Sequence, residues 1–423
     1  MMVSQPDVPS LAQFLSAAKE KYLRDIHSNP QEGGRWTVVM GNEAGDLDSI
    51  ASSIAYAWFL SEVHKKPAVP LLQLERDDLD LRAENMYALS LAGLTQPKDQ
   101  LLFLTDLAPF SLSVPTTAFP SHTFALVDHN SLASAYTFQN PSATVSAILD
   151  HHADEGKHLD ASPRVIIPSG SCTSHVTALF PPDIPTSLAT LLLTGILIDT
   201  NGLKPGGKAL KPDHIAAGLL VPRSILASSL PAPLTSHEDL YNVTAIKDLT
   251  HKLKKLKAGV DHLSARDLLR RDYKEYVLDV PGVGSIRAGL ASVPVRLREW
   301  ELPDAAGAWM DERETQVLGV LTSFSGGKKG KGKLKREMAW VVYDGRKKNE
   351  EQVLFDVKAL AEKLFRGLER SDELKVRLKK TKYDMEKGGK LPDGARSRTY
   401  DQGNANATRK VTAPLIKSIL EAA

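Results

Sequence analysis

The sequence predicts an α/β protein in two parts. The N-terminal domain is built on a mainly parallel sheet with helices on both faces, and a smaller α/β C-terminal domain follows. Three observations predict this. At 423 residues the chain exceeds what one core ordinarily organises. Its first half alternates continuous apolar runs with helical patterns, as strands buried on both faces require. A Pro- and Ser-rich stretch, VPRSILASSLPAPL, then breaks the alternation, as a linker would. The expected domains are therefore residues 1–230 and 231–423.

Taken in order, the chain opens with an amphipathic helix capped near Ser10. Strands are expected at WTVVMG (36–41), AVPLLQL (68–74), LLFLTD (101–106), TFALVD (123–128), TVSAILD (144–150) and RVIIP (164–168). Each is a short apolar run bounded by turn residues. Helical patterns lie at 48–63, 80–92, 171–180 and 188–197, where apolar residues recur at helical spacing. Past the linker, a charged helical segment covers 248–273. The runs YVLDV, SIRAGLASVPV, TQVLGVLTSF and MAWVVYD then read as strands. Helices around 356–370 and at the C-terminus complete the second domain. The insert SGGKKGKGKLKR (325–336) reads as a mobile, solvated surface loop, contact with a polyanion being the competing reading.

Hydrophobic residues at 42% and charged residues at 25% are the balance of a soluble globular chain. No apolar run is long enough to cross a bilayer, and the N-terminus lacks the apolar segment of a secretory signal. The lone Cys172 excludes an intramolecular disulfide and a cysteine-rich zinc site, which fits a reducing, cytoplasmic setting. Net charge is only +2, but the halves differ. Residues 1–225 carry 15 Lys+Arg against 23 Asp+Glu, and residues 226–423 carry 38 against 28. An acidic half suits cations and a basic half suits a polyanion; unselected drift in surface charge explains the same numbers.

The informative feature is where the carboxylates fall. Three expected strands finish on aspartate, at Asp106, Asp128 and Asp150, and the first is followed by Asp46 and Asp48. In a parallel sheet the carboxyl ends of the strands share one edge, where ligands bind. Singly, each aspartate is adequately explained as a helix cap. Brought together they would repel one another, a conflict that bound divalent cations remove. Imidazoles stand beside them in VDHN (127–130) and LDHHADEGKH (149–158), and Asp199 closes the apolar helix LLLTGILIDT. A carboxylate there opposes the helix dipole unless a cation is present. No HExxH, nucleophile elbow or P-loop competes for the role.

GNEAGDLDS, VDHN, LDHH, GSCTS and ILIDT, in that order, resemble the DHH phosphoesterase superfamily. The likeness is to family II inorganic pyrophosphatases, fungal cytosolic exopolyphosphatases and the related prune proteins. It covers essentially the whole chain, and the tail NATRKVTAP resembles the phosphate-binding Ser-Arg-Lys motif of the pyrophosphatases. The resemblance implies an active site in the cleft between the domains, with Asp46 and Asp128 on one cation. Asp48, Asp128, His151 and Asp199 would take a second, with Asp128 bridging. His152 would face the leaving phosphate and act with Asp128 in catalysis. Asn42 and His129 join His152 as substrate contacts, and Arg396, Arg398, Arg409 and Lys410 would clamp phosphates from the second domain. The pyrophosphatases have histidine where this chain has Asn42, as the exopolyphosphatase branch does. A hard amide oxygen there would shift the preference toward Mg²⁺, with Mn²⁺ or Co²⁺ as alternatives. His152 is intact, where prune-like chains carry arginine.

The implied activity is two-metal hydrolysis of the terminal phosphate of inorganic polyphosphate, releasing orthophosphate. The implied protein is a monomer, with neither nucleic acid nor membrane as partner. A pyrophosphatase on the same scaffold is the nearest alternative. A nucleotide phosphodiesterase would be expected to bring a Gly-Gly-Gly-His signature and stacking aromatics, which this chain lacks. A silent scaffold would be expected to lose Asp128 or His152. Backbone N–H groups at Gly170–Ser174 could add to the anion site, an ordinary helix cap being the competing reading. His175 is expected to be packed or at the surface rather than catalytic, and Asp106 is a candidate to support the ligands from a second ring around them.

Overall fold

A computed structural model describes residues 9–112, 115–229, 237–325, 332–344, 356–379 and 391–422, with 30, 31 and 237–239 described by backbone only. Parts of the expected linker (230–236) and of the Lys/Gly insert (326–331) lie outside the described residues. The chain divides into two compact units, Met1–Gly259 and Val260–Ala423.

The first unit is built on six parallel strands: β1 (Thr37–Met40), β2 (Ala68–Leu72), β3 (Leu102–Phe103), β4 (Thr123–Val127), β5 (Thr144–Asp150) and β6 (Arg164–Ile166). Their order is β3-β2-β1-β4-β5-β6. From β1 the chain winds outward through β2 and β3, then returns to β4 on the other side of β1. The strand order therefore reverses between β1 and β4, the switch point at which open α/β sheets bind ligands. Val38, Val39 and Met40 are fully buried, as a central strand covered on both faces demands. The run LLFLTD yields only two strand residues. Asp106 accepts the Phe103 N–H at 2.9 Å and turns the chain into a short 3-10 helix, Leu104–Leu107.

The helix Leu47–Trp58 starts at Asp46, whose Oδ1 accepts the Ser49 N–H at 3.0 Å. All twelve of its residues are buried, because the sheet lies on one side and the helix Thr186–Asp199 on another. It can sit this close because residue 41 is glycine: a Cβ there would come within 2.5 Å of Ser49 Cβ and 2.8 Å of its carbonyl oxygen. The helix Thr244–Ala258 packs on Thr186–Asp199 and on Ala83–Leu91, burying Ile246, Leu249 and Leu253. This packing carries the first unit past the expected boundary at 230. The charged segment also breaks in two, at Gly259, before a second helix, Ala265–Arg270.

The second unit holds a mixed sheet of β7 (Tyr273–Val280), β8 (Gly284–Val293), β9 (Val317–Thr322), β10 (Phe324–Ser325), β11 (Leu334–Val342), β12 (Val376–Leu378) and β13 (Arg396–Gln402). The order is β12-β13-β11-β9-β8-β7, with β10 paired to β11. Only β8 and β9 run parallel. Alternation along β11 sends Met338, Trp340 and Val342 to a core with the helices Val357–Glu369 and Arg409–Glu421. Ala339 and Val341 face the opposite core, with Trp309 and Met310 of the helix Leu302–Arg313. Strands β12 and β13 have no counterpart in the sequence reading, because RSRTYDQ lacks an apolar run and is held by its neighbours' ladders. The ends of the Lys/Gly insert also belong to strands, Ser325 pairing with Leu334. Among the described residues no helix is long and apolar enough to cross a membrane.

Gly41→Ala should lower the unfolding free energy by about 1–3 kcal/mol in urea denaturation, because the new methyl meets backbone that cannot swing aside. Unchanged stability would mean that the Leu47–Trp58 helix is not pinned at its start.

Candidate metal centre

The reversal of strand order brings the ends of β1, β4 and β5 to one place. Asp128 follows β4 with a left-handed backbone, φ 60°, a conformation that aspartate tolerates better than most side chains. Its N–H still bonds to the Leu149 carbonyl at 2.9 Å, so the turn begins only at its side chain. The Asp128 carboxylate is buried, 3% exposed, and its two oxygens are used differently. Oδ2 accepts from Asn42 Nδ2 at 2.7 Å and from Ser49 Oγ at 2.5 Å. Oδ1 faces the imidazoles, 3.2 Å from His151 Nε2 and 3.6 Å from His152 Nδ1.

His151 donates Nδ1–H to the Ser169 carbonyl at 3.0 Å. Nε2 is thereby directed at Asp128 Oδ1 and, at 3.8 Å, at Asp48 Oδ2. An imidazole held by a carbonyl through one nitrogen, with carboxylates around the other, is the arrangement of a metal-ligating histidine. Asp128, His151 and His152 each offer a ligand atom within 4.8 Å of the others. Asp48, in the first turn of its helix and 2% exposed, accepts from Ser171 Oγ (2.7 Å), Cys172 N (2.7 Å) and Thr173 N (2.9 Å). The Gly170–Ser174 turn thus spends the N–H groups of Cys172 and Thr173 on Asp48 and those of Gly170 and Ser171 on Asp213, so the expectation that they serve an external anion is corrected. That turn is itself held by the fully buried Asp213, which accepts from Gly170 N and Ser174 Oγ.

The charges are in tension. Burial, then the Asp128 charge, pushes the Asp48 carboxyl up to about 7, although His151 opposes the shift. Burial and Asp46 raise Asp128. Burial would lower His151, but Asp128 and Asp48 outweigh it and raise the ring to about 9. Asp199 is also raised, by burial and by the charges of Asp48 and Asp46, with Lys257 opposing from 3.7 Å. All four aspartates and His151 therefore act on one another electrically, and a divalent cation would relieve every one of these shifts. The donor set of oxygens and one imidazole nitrogen fits such a cation.

Three placements were not anticipated. Asp150, fully buried at the end of β5, accepts His152 Nδ1–H at 2.7 Å, the N–H groups of His151 and His152, and Asn130 Nδ2 at 2.6 Å. Burial alone would raise it, yet these donors hold it down at about 2. Its position at a strand end was visible in sequence; its role as the anchor of His152 was not. Asn42 gives its amide oxygen to the Ala44 N–H at 2.9 Å and its nitrogen to Asp128. The Asn42 amide oxygen is thus spent on its own loop, so the hard-ligand argument for Mg²⁺ does not come from Asn42. Lys257 supplies the positive charge expected of a metal beside Asp199, and nothing in local sequence joins the two.

Other expected residues are placed as follows. His129 donates Nδ1–H to Val127 O. His175 is buried, donating to Ile167 O. Asp106 pairs with Lys19 and Arg76 and accepts from Phe103 N, so these contacts anchor the first helix and its own turn rather than any expected ligand. In the second unit, Arg409 is tied to the Asp272 carboxylate at 2.7 Å and to the Asp272 carbonyl at 2.9 Å. Lys410 follows it in the first turn of the last helix. Arg396 and Arg398 belong to the start of β13, whereas Arg409 and Lys410 follow its far end. Arg398 pairs with Glu369 at 2.7 Å and stacks on Phe365. One clamp of four cations is therefore not formed within the unit.

Comparison with known proteins adds identity. Residues 36–196 match the N-terminal domain of the DHH family, and residues 251–419 match the DHHA2 domain. A Schizosaccharomyces pombe protein named "Putative exopolyphosphatase" is 33% identical over 333 residues, covering 74% of this chain and 80% of that one. "Exopolyphosphatase PRUNE1" of Bos taurus is 28% identical over 263 residues, 60% of this chain; the chain spans about half the length of that relative, 52%. In structure, the chain is similar to a crystal structure titled as a Methanococcus jannaschii "putative family II inorganic pyrophosphatase". The TM-score is 0.51 at 17% identity, covering 92% of this chain and all of the other, a likeness of fold.

Loading metal-free protein with Mn²⁺ at pH 7 should release protons, because His151 and part of Asp48 carry them there and a cation displaces them. Calorimetry in buffers of different ionisation enthalpy should give different apparent heats, and affinity should fall as pH drops below 7. Heats independent of buffer would contradict the arrangement.

Proposed function

The chain belongs to the DHH family, with a DHHA2 domain behind its DHH domain, and from that premise we propose that it is a metal-dependent exopolyphosphatase, releasing orthophosphate from the ends of inorganic polyphosphate. The observation that carries this reading is the Asp128 Oδ1–His151 Nε2 pair, 3.2 Å apart at the switch point with Asp48 closing a third side. The names of the Schizosaccharomyces pombe and Bos taurus relatives support the choice of substrate.

In this reading Asp46, Asp48, Asp128, Asp199 and His151 would hold two divalent cations, the four carboxylates suiting Mg²⁺ and the imidazole admitting Mn²⁺ or Co²⁺ as alternatives. Bound there, such cations polarise phosphoryl oxygens and activate water near neutral pH. The chain's own residues do the rest. Asn42 and Ser49 fix Asp128 Oδ2 by hydrogen bonds, which leaves Oδ1, on the side of the imidazoles, as the oxygen that would take a cation. Ser171, Cys172 and Thr173 hold Asp48 in one orientation, so neither carboxylate must reorganise when charge develops on the phosphate. Asp150 engages His152 Nδ1, leaving Nε2 as the nitrogen that delivers a proton to the departing phosphate oxygen. Arg409 and Lys410 are the candidate phosphate contacts of the second unit.

The direct test measures free phosphate from polyphosphate, tripolyphosphate and pyrophosphate, each with Mg²⁺, Mn²⁺ or a chelator. Stepwise, chelator-sensitive release from long chains is expected; activity confined to pyrophosphate would make the protein a pyrophosphatase. Asp128→Asn should lower turnover by about 10²–10³-fold with the fold intact by circular dichroism, and near wild-type turnover would refute the assignment. His152→Ala should reduce kcat more than Mn²⁺ affinity, and the reverse pattern would make His152 a ligand.

A further inference from the structure

We infer that a basic cavity in the second unit binds a linear condensed-phosphate anion of three or more phosphoryl groups. The cavity, about 660 Å³, lies where β8 and β9 end, β11 begins and β13 ends. The topology gathers cations at that end of the sheet. Arg296 and Arg298 follow β8, Lys335 and Arg336 open β11, and Lys379 follows β12. These five cations line the cavity against two carboxylates, Glu337 and Asp401.

Both carboxylates are already engaged with one cation. Glu337 pairs with Lys379, and Asp401 lies 3.5 Å from the same ammonium. Glu337 also accepts the Leu297 N–H at 2.9 Å, which makes it part of the wall. Arg296 lies 3.6 Å from Glu299. Among the described residues, Arg298, Lys335 and Arg336 have no carboxylate within ion-pair distance. Arg336 is half-buried and gives its Nε–H to the Ala405 carbonyl at 2.7 Å; burial pushes its guanidinium pKa down with no charge offsetting it. Such a group gains from any anion that reaches it.

Three unmatched cations around one concavity select a polyvalent anion, and two of them are arginines, whose planar forks suit phosphate oxygens. A cavity of this size suits a ligand of many atoms, more than one orthophosphate fills. The Arg296 guanidinium lies over one face of the Phe324 ring at 4.9 Å, which takes up a surface a nucleobase would stack on and favours an inorganic chain. The choice of polyphosphate as the anion rests on the function proposed above; the cavity's unbalanced charge does not.

The experiment is equilibrium binding of tripolyphosphate to the full chain carrying Asp128→Asn, stripped of metal and dialysed free of chelator so that nothing is hydrolysed. Adding R298E and K335E, both at exposed positions, should weaken binding by about tenfold or more, without change in the thermal unfolding midpoint. Unchanged affinity in that variant overturns the inference. So does tighter binding of ATP than of tripolyphosphate, which would make the cavity a nucleotide site. Should the unsubstituted protein release no phosphate from polyphosphate while tripolyphosphate binding still depends on Arg298 and Lys335, the cavity stands and only the proposed activity falls.

Discussion

The first unit is organised around the burial of Asp128. A carboxylate this deep is tolerated only with donors on one side and a positive charge on the other. Asn42 and Ser49 supply the donors, and His151 or a cation supplies the charge. Because Asp48, Asp46 and Asp199 all feel the same field, no member of the group can be considered alone. Much of the nearby structure has the effect of keeping these acids together. Gly41 lets a helix start against β1, Asp150 fixes His152, and Asp213 holds the turn that holds Asp48.

The distribution of hydrogen bonds explains how like charges can be assembled without the fold opening. Asp48 takes three donors from a single turn, and Asp150 takes four from its own loop and Asn130. Each is satisfied by groups that are themselves fixed; the donors of Asp150 outweigh its burial, whereas Asp48 stays raised in spite of them. His151 lacks such an independent partner at Nε2 and leans on the two carboxylates. The cluster is therefore fully supported at its rim and electrically incomplete at its centre, as an ion-binding site should be.

The second unit shows the opposite sign by the same means. Its sheet sends the ends of β8 and β13 and the start of β11 to one edge, and cations accumulate there. Some of them are already engaged by acids: Arg409 by Asp272, at the start of the last helix, and Lys379 by Glu337. Others have no charged partner among the described residues, and basic composition alone does not separate the two kinds. Arg398 makes the point, since a cation next to a strand looks ready for phosphate until Glu369 and Phe365 are seen to hold it.

Much of the first unit was legible in the chain. Short apolar runs, three of them ending in aspartate, with helical patterns interspersed along the first half, point to a parallel sheet whose carboxyl edge is acidic, because strand burial is written locally. The motifs around Asp46, Asp128 and His151 also identified the family. Tertiary structure alone decided which acid does what. Asp150 and Asp128 look alike at their strand ends, and only the crossing of the chain between β1 and β4 gives one the central place and the other the task of holding His152. The same holds for Asn42 as a donor, for Lys257 beside Asp199, and for β13, which has no apolar signature. Each depends on a partner far away in sequence, and hydrogen-bond direction and charge balance exist only once those partners are in place.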